Sequence, residues 1–228
     1  MTILLAIETS TEMASVALLS KNDLIYRELS GVQTHSQGVL PAIQALLREA
    51  GIGLRQCDAI AFGCGPGAFT GVRTACGIVQ GLAFGAELPI LPIVSLHAMA
   101  EAARATQTET DFVCVLDARM GEVYWAHYRF LNQSWQQIMG PALSTSALVL
   151  AYANLHAEVL VVGNGIAQTI EFTKNKIISK MPHAEQIARL ALLDYSMGQG
   201  LVAEMAQPLY LRNKIALTTA ERMQLKNL

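Results

Sequence analysis

A glycine-rich segment between a predicted strand and a predicted helix has the composition of an anion-binding connection. It contains Gly63, Gly65, Pro66, Gly67 and Gly71. Glycine permits φ > 0 and lets a ligand or another backbone come close. The apolar run Ala59–Phe62 before it predicts a buried strand, and Thr70 after it suits a helix N-cap. Because helix N-termini bind anions, Gly65 and Gly67 are candidate phosphate contacts. The segment is neither a Walker A loop, since no Gly-Lys-Ser/Thr follows, nor a nucleophile elbow, since it contains no serine.

A second candidate is the polar turn Glu8-Thr9-Ser10-Thr11, which joins two apolar runs near the N-terminus. Hydroxyls and backbone amides in a tight turn can form a nest for an anion, so Thr9 and Ser10 are further candidate nucleotide or phosphate contacts. A nucleotide-binding hairpin of this kind normally carries an aspartate and a glycine. Glu8 without a glycine favours an ordinary hairpin, and the phosphate interpretation stays open beside it.

Metal-ligand spacing is not found among the histidines and cysteines. His35 begins a predicted helix, but the position one turn later is Val39. The other histidines show no mutual metal spacing: His97, His127, His156 and His183. The 4 cysteines form no CxxC pair, which favours buried, reduced thiols. The sequence therefore predicts no metal site and no catalytic residue.

Other polar and aromatic positions have plain structural interpretations. Asp117 ends a predicted strand, where an acid could act, but a turn residue before Gly121 is the favoured interpretation. Tyr124, Trp125 and Tyr128 lie on one alternating strand without a flanking basic cluster. This pattern favours sheet packing over a base-stacking platform.

Composition narrows the class of protein. The chain has 228 residues, of which 52% are apolar and 15% charged, with a net charge of −2. That balance predicts a large core and gives no electrostatic footprint for nucleic acid. A role in RNA chemistry would require another subunit to bind most of the RNA. Neither a signal peptide nor a membrane span is expected, so the predicted location is the cytoplasm.

The predicted elements repeat once along the chain. Apolar patterns in the first half predict three strands, a helix over Thr34–Ala50, a strand, a helix from Thr70 to Gly85, a strand and a helix ending at Ala105. A polar break, Thr106–Asp111, follows, and the same order begins again. The chain is therefore expected to form two β-β-β-α-β-α domains, 1–105 and 106–228, facing each other across a cleft. The tail, 208–228, is expected to pack back on one of them.

The helix after the glycine-rich segment carries three glycines at four-residue spacing, Gly77, Gly81 and Gly85. Each costs about 1 kcal/mol relative to alanine inside a helix, so a tight contact is expected on that side. Together with the preceding helix they predict an apolar patch for a partner protein. Its predicted members are Leu40, Ile43, Leu47, Arg73, Gly77, Gly81 and Gly85. Packing of the two helices inside one monomer is the alternative.

Five segments together resemble a known bacterial family, TsaB, also called YeaZ. They are AIETST near the N-terminus, THSQGVLP, GPGAFTGVR, LPIVSLHAMA and the late PLYLR. The family pattern at the centre is close to GPGSFTGLR, so this chain differs there by two mild changes. The motifs cover the first 105 residues well, whereas the second half is matched by layout and by PLYLR.

The resemblance implies a duplicated actin-like α/β fold, of the ASKHA and ribonuclease H-like type. It implies a non-catalytic subunit of the complex that forms N6-threonylcarbamoyladenosine at position 37 of tRNAs that read codons beginning with A. The implied partners are the catalytic paralogue TsaD, the ATPase TsaE and tRNA through the complex, with a homodimer when the chain is alone. No cofactor is implied beyond a nucleotide at the subunit interface.

Two other classes of function remain as alternatives. An actin-like small-molecule kinase or nucleotide hydrolase would need acidic residues around a bound phosphate. A metallopeptidase, a label once attached to the wider family, would need metal ligands that the sequence does not reveal.

Overall fold

Two five-stranded mixed sheets, one from each half of the chain, form the framework of the protein. They are seen in a computed structural model that describes residues 2–21, 23–29, 35–163, 165, 170, 172 and 174–212, with only the backbone of residue 35. We call the sheet of the first half sheet I and that of the second half sheet II.

The first half contains five strands and three helices within the described residues. They are β1 (Ile3–Glu8), β2 (Ala14–Ser20), β3 (Asp23–Leu29), α1 (His35–Glu49), β4 (Ala59–Gly65), α2 (Phe69–Ala86), β5 (Ile90–Val94) and α3 (Ser95–Arg104). Strands β1, β2 and β4 are almost entirely buried because helices cover both faces of sheet I. This explains why they read as continuous apolar runs rather than as alternating ones.

The second half repeats the plan. Its described elements are β6 (Asp111–Arg119), β7 (Glu122–Leu131), β8 (Ser134–Thr145), α4 (Ser146–Leu155), β9 (Leu160–Gly163), β10 (Ile177–Ser179) and α5 (Ala184–Ser196). The repeated order predicts a helix after β9, and most of that stretch, residues 164 and 166–169, lies outside the described residues.

Both sheets have the same strand order. Sheet I runs β3-β2-β1-β4-β5, and sheet II runs β8-β7-β6-β9-β10. In each, the first three strands are antiparallel and the last two add in parallel. The predicted duplication of a β-β-β-α-β-α unit is therefore confirmed.

Helices α3 and α5 each pack against the sheet of the other half. Helix α5, from the second half, covers one face of sheet I through Ala184, Ile187, Ala188, Leu190 and Ala191. Helix α3, from the first half, covers sheet II through Leu96, Met99, Ala100 and Ala103. These helices also contact each other. The cleft expected between the two domains stays a prediction. The expected division at residue 105 falls in the turn after α3. Among the described residues, three of the four hydrophobic cores contain residues from both sides of it, and the fourth lies within the second half.

The chain after α5 returns to the first half. Leu201 pairs with Ile90 at the edge of β5 through two backbone hydrogen bonds of 2.8 and 2.9 Å. The Leu209 amide then donates to the Cys64 carbonyl of β4 at 2.7 Å. Arg212 reaches back to the β6–β7 turn, where it pairs with Glu122 at 2.7 Å. The described part of the tail thus contacts both halves, and residues 213–228 lie outside the described residues.

Candidate functional site

Hydrogen bonds join the polar turn after β1 to the start of α2. The Thr9 hydroxyl donates to the Gly71 carbonyl at 2.7 Å, and the Ala68 amide donates to the Ser10 carbonyl at 2.6 Å. A Cβ on Gly71 would overlap the Thr9 carbonyl oxygen, and one on Gly67 would overlap that of Ser10. Glycine is therefore required here by the close approach of the protein's own hairpin.

The extent of the predicted loop was wrong. Gly63 and Gly65 lie inside β4, and Gly71 lies inside α2, so that only residues 66–68 connect the two elements. Helix α2 begins at Phe69, after Ala68, and no side chain caps it, so the expected cap at Thr70 was also wrong. At this end of α2, the Ala68 amide bonds to the Ser10 carbonyl of the hairpin.

Glu8 lies at the centre of this junction and is fully buried. One carboxyl oxygen accepts from the Ser10 amide at 2.6 Å, and the other accepts from the Ser95 hydroxyl of α3 at 2.8 Å. A Cβ on Gly63 would overlap the carboxyl group. Burial raises the pKa of Glu8, against these hydrogen bonds, which lower it. Glu8 therefore serves as an internal hydrogen-bonding group that ties β1 to α3.

The candidate phosphate contacts lie near one another but are occupied by protein atoms. Thr9 and Ser10 are 0% and 1% exposed. Gly67 faces Ser10, and Gly65, whose φ of +102° suits glycine, lies beneath the Leu209 carbonyl. This geometry favours the ordinary hairpin over a phosphate cradle. A nucleotide contact at these four residues stays a prediction.

Gly77, Gly81 and Gly85, here called the glycine line, lie on the side of α2 that faces away from the protein. Gly77, Gly81 and Gly85 are exposed, and a Cβ at any of them would meet no atom within 4 Å. The opposite side of the helix is buried within the first half of the chain. Its buried residues include Val72, Ala75, Cys76, Val79 and Ala83. Tight packing of α1 onto the glycines inside the monomer, the alternative interpretation, is therefore wrong. The line is available to another molecule.

The predicted patch needs a correction on α1. Leu40 is 42% exposed and can contact a partner, but Ile43 is 2% exposed and belongs to the core. Leu47 is half-buried and packs against the same core. One turn separates Ile43 from Leu47, and that face of α1 covers sheet I. On α2, Phe84 lies beside the glycines and is 72% exposed, so it joins the patch.

A shallow groove of about 510 Å³ lies between the glycine line and the residues before β4. Its lining residues are Gly53, Leu54, Arg55, Gly81, Leu82, Gly85 and Ala86. Arg55 donates to the Gly85 carbonyl at 3.2 Å, so a guanidinium interacts with the C-terminal end of α2. The groove and the glycines form one mostly apolar surface.

Arg73, in line with the three glycines, is held between two aromatic rings. Its guanidinium carbon lies 3.6 Å from the Phe69 ring centre and 5.5 Å from that of Tyr210. Its Nε donates to the Tyr210 hydroxyl at 2.6 Å. Sequence reasoning missed Tyr210, which belongs to the PLYLR segment, since nothing local indicates that residues 137 positions apart meet.

The remaining candidates have structural roles. The Asp117 carboxylate accepts from the Arg119 amide at 2.7 Å near the β6–β7 turn. Asp117 lies inside β6, which continues to Arg119, so the expected strand end at Asp117 was wrong. Trp125 and Tyr128 are buried, whereas Tyr124 is half-buried against the sheet II core, which confirms sheet packing.

Across the described ranges, no group of three or more His, Cys, Asp or Glu could hold a metal ion. No helix there is both long and apolar enough to cross a membrane.

Sheet II contains a buried polar cluster that sequence reasoning did not find. His127 contacts Asp111 at 3.2 Å and the Tyr152 hydroxyl at 2.8 Å. Arg129 donates to Asp111 at 2.7 Å. Burial favours a raised pKa for Asp111, but the hydrogen bonds from Arg129 and Thr110 outweigh it and lower the pKa. The cluster attaches α4 to the sheet.

Two lobes with the same strand order, joined by exchanged helices, define a protein of the duplicated actin-like class. A family model described as "TsaD: tRNA N6-adenosine threonylcarbamoyltransferase" matches residues 25–220. The chain is 36% identical to the tRNA threonylcarbamoyladenosine biosynthesis protein TsaB of Haemophilus influenzae, over 93% of this chain and 94% of that protein. The TsaB of Escherichia coli is also 36% identical, over 93% and 96%.

A solved structure, "YeaZ from Pseudomonas aeruginosa", superposes with a TM-score of 0.84 at 38% identity. The match covers 92% of this chain and all of that one. The chain belongs to the TsaB family, also called YeaZ.

Proposed function

We propose that this chain is a non-catalytic subunit of the complex that forms N6-threonylcarbamoyladenosine at position 37 of tRNAs that read codons beginning with A. The proposal rests on similarity along almost the whole chain to proteins named for threonylcarbamoyladenosine biosynthesis. Coverage of both halves matters, because the two halves share hydrophobic cores and exchange helices.

One observation carries the non-catalytic assignment: Glu8 and the hairpin fill the junction between β1, β4 and α2 with protein atoms. An actin-like kinase or hydrolase would need that space for phosphate and an ionised acid beside it. Here the carboxyl group is fully buried, and its two oxygens already accept hydrogen bonds from Ser10 and Ser95. The geometry therefore favours a scaffold over a phosphate-handling enzyme.

The proposed partner is a TsaD-type catalytic relative, which docks on the exposed side of α2 and the adjoining part of α1. The open glycine line, the exposed Leu40 and Phe84, and the groove beside Leu54 support this surface. Exposed apolar patches of this kind mark protein–protein sites. A TsaE-type ATPase and tRNA join through the complex. When the chain is alone, a second copy of it occupies the same surface. The proposed location is the cytoplasm.

The assignment is tested by reconstitution. Threonylcarbamoyladenosine formed on a tRNA transcript is measured with TsaD and TsaE partners, threonylcarbamoyl-adenylate and ATP, with and without this chain. Modification is expected only when the chain is present, and the chain alone is expected to transfer nothing and to hydrolyse no ATP. Turnover by the isolated chain, lost on Glu8→Gln, would instead assign an enzyme.

The surface is tested by Gly81→Leu. Because a Cβ at Gly81 meets no atom within 4 Å, the variant is expected to fold normally and to lose partner binding. Gln136→Leu, which likewise introduces a leucine at an exposed position but on β8, serves as the control for added surface hydrophobicity and is expected to bind as the wild type does. Unchanged binding by a folded Gly81→Leu variant would remove this surface from the proposal.

A further inference from the structure

The polar cluster of sheet II places a tyrosine hydroxyl against a histidine that a carboxylate orients. The Tyr152 oxygen lies 2.8 Å from Nδ1 of His127, and Nε2 of the same ring lies 3.2 Å from a carboxyl oxygen of Asp111. Asp111 on β6 pairs with Arg129 on β7, and His127 and Arg129 are two residues apart, so both lie on one face of β7. Helix α4 covers that face and brings Tyr152 to the cluster.

The hydrogen bonds determine which nitrogen of His127 is basic. Burial favours a raised pKa for Asp111, but the hydrogen bonds from Arg129 and Thr110 lower it, so the carboxylate is ionised and only accepts. Nε2 of His127 therefore carries the proton, and Nδ1 of the neutral ring accepts from the Tyr152 hydroxyl. Burial lowers the pKa of His127, although Asp111 favours the charged form, and so keeps the ring neutral at neutral pH.

An oxygen, a base within hydrogen-bond reach and a third group that orients the base together form an activated nucleophile. Burial raises the pKa of Tyr152, against the charge of Arg129, which lowers it, so the phenol depends on a base to lose its proton at neutral pH. His127 is 1% exposed, whereas Tyr152 is only half-buried. A small reagent can therefore approach the phenol from solvent while the base stays buried.

Arg129 supplies a cation beside the phenol for an anionic reagent. Its side chain is 39% exposed, and Nε, which donates to Asp111, is the one guanidinium nitrogen with a hydrogen bond to a described residue. The terminal nitrogens can bind two phosphate oxygens side by side. Glu158 also borders the phenol, but its carboxylate lies 3.5 Å from Nδ1 of His156. The cluster thus suits a small donor with one phosphate group rather than an extended polyanion.

We propose that Tyr152 is a modification site that takes an acyl group from an acyl phosphate. The phenol oxygen attacks the carbonyl carbon of the donor and forms an ester, and the bond from that carbon to the phosphate oxygen breaks. The phenol proton passes to Nδ1 of His127 and from there to the departing phosphate. Asp111 holds the imidazole in the basic orientation, and Arg129 binds the phosphate. The site belongs to the second half of the chain and does not depend on the proposed function.

The test is acetylation of the full-length chain by acetyl phosphate, with the labelled residues quantified over time by peptide mass spectrometry. Tyr152 is expected to react about 100-fold faster than Tyr26, the usual contribution of a general base. Tyr26 is the matched control, because it is 46% exposed and its hydroxyl has no hydrogen bond to a histidine among the described residues. His127→Gln is expected to remove most of the difference, and Tyr152→Phe to remove the label without changing that on Tyr26.

Circular dichroism melting establishes that each variant is folded. Reaction of Tyr152 no faster than that of Tyr26, or acetylation of lysines alone, overturns the proposal. Labelling of Tyr152 that a folded His127→Gln variant retains in full overturns it equally, because the histidine is then not the base. If His127→Gln does not fold, the ratio of Tyr152 to Tyr26 labelling in the wild type decides. Reconstituted tRNA modification is a separate measurement, so failure here leaves the proposed function standing.

Discussion

The hydroxyl of Thr9 donates to the carbonyl of Gly71 at 2.7 Å, across 62 residues of sequence. The bond joins the turn after β1 to the first turn of α2 at a point where a side chain at residue 71 would overlap the Thr9 backbone. The same helix carries glycines at 77, 81 and 85 with open space around them. Helix α2 thus contains one glycine that the fold requires, Gly71, and three glycines at positions where the fold leaves room for a side chain.

Gly71→Ala is expected to destabilise the protein by about 1–3 kcal/mol, because the new Cβ overlaps backbone rather than a flexible side chain. Gly77→Ala, on the same helix, is the matched control and is expected to stabilise by up to about 1 kcal/mol through helix propensity. Free energies of unfolding from urea titrations check both. Equal effects of the two substitutions would show that the hairpin does not constrain residue 71.

Glu8→Gln is expected to change the pH dependence of stability. Burial raises the pKa of Glu8 in the folded protein, so the folded state holds a proton that the unfolded state releases above a pKa of about 4.5. Stability from this group is present at low pH and falls as pH rises toward the folded pKa. The amide keeps the shape without titrating, so Glu8→Gln gains stability relative to wild type from pH 5 upward.

Urea unfolding of both proteins at several pH values measures that difference. Glu8→Ala, which removes the hydrogen-bonding group, is the control and is expected to lose stability at every pH. A difference between wild type and Glu8→Gln that does not vary with pH would contradict the prediction.

Protonation of His183 is expected to lower the stability of the folded protein in mild acid. Its Nδ1 accepts from the Glu185 amide at 3.1 Å and caps α5, which covers sheet I. Burial lowers the pKa of His183, although Glu28 and Glu185 favour the charged form. The folded state therefore binds fewer protons, and stability from the cap is complete above about pH 6.5 and falls as pH drops toward the folded pKa.

His183→Asn supplies a cap that does not titrate. Its melting temperature is expected to fall less than that of wild type between pH 7 and pH 5. Parallel pH profiles for the two proteins would show that the cap is not what titrates.

Ile187→Ala tests whether the two lobes share their cores. Ile187 of α5 is fully buried against sheet I, so the truncation is expected to cost about 2–5 kcal/mol. Because the cavity left by the truncation lies against sheet I, amides of β1 and β4 are expected to exchange faster with deuterium. Leu193→Ala, on the same helix but 50% exposed, is the control and is expected to cost less than about 1 kcal/mol. Faster exchange confined to the second half would contradict shared cores.

Much of the fold follows from local patterns. Apolar runs such as Ile3–Ile7 and helical spacing such as that of Val39, Ile43 and Leu46 depend only on neighbouring residues, so they predict the elements and their repetition. The motif GPGAFTGVR identified the family, although its glycines divided between β4, a short connection and α2. The spacing of Gly77, Gly81 and Gly85 predicted that they share one side of a helix.

Tertiary structure decided which groups meet across the chain. The sequence could not show that α3 and α5 exchange sheets, because an apolar stripe specifies that a helix is buried but not against which surface. Nor could it place Ser95 beside Glu8 or Tyr210 beside Arg73, since hydrogen bonds between distant residues depend on the packed geometry. The repeated unit was therefore determined by the sequence alone, whereas the closed hairpin and the open face of α2 were decided only by the assembly of the two lobes.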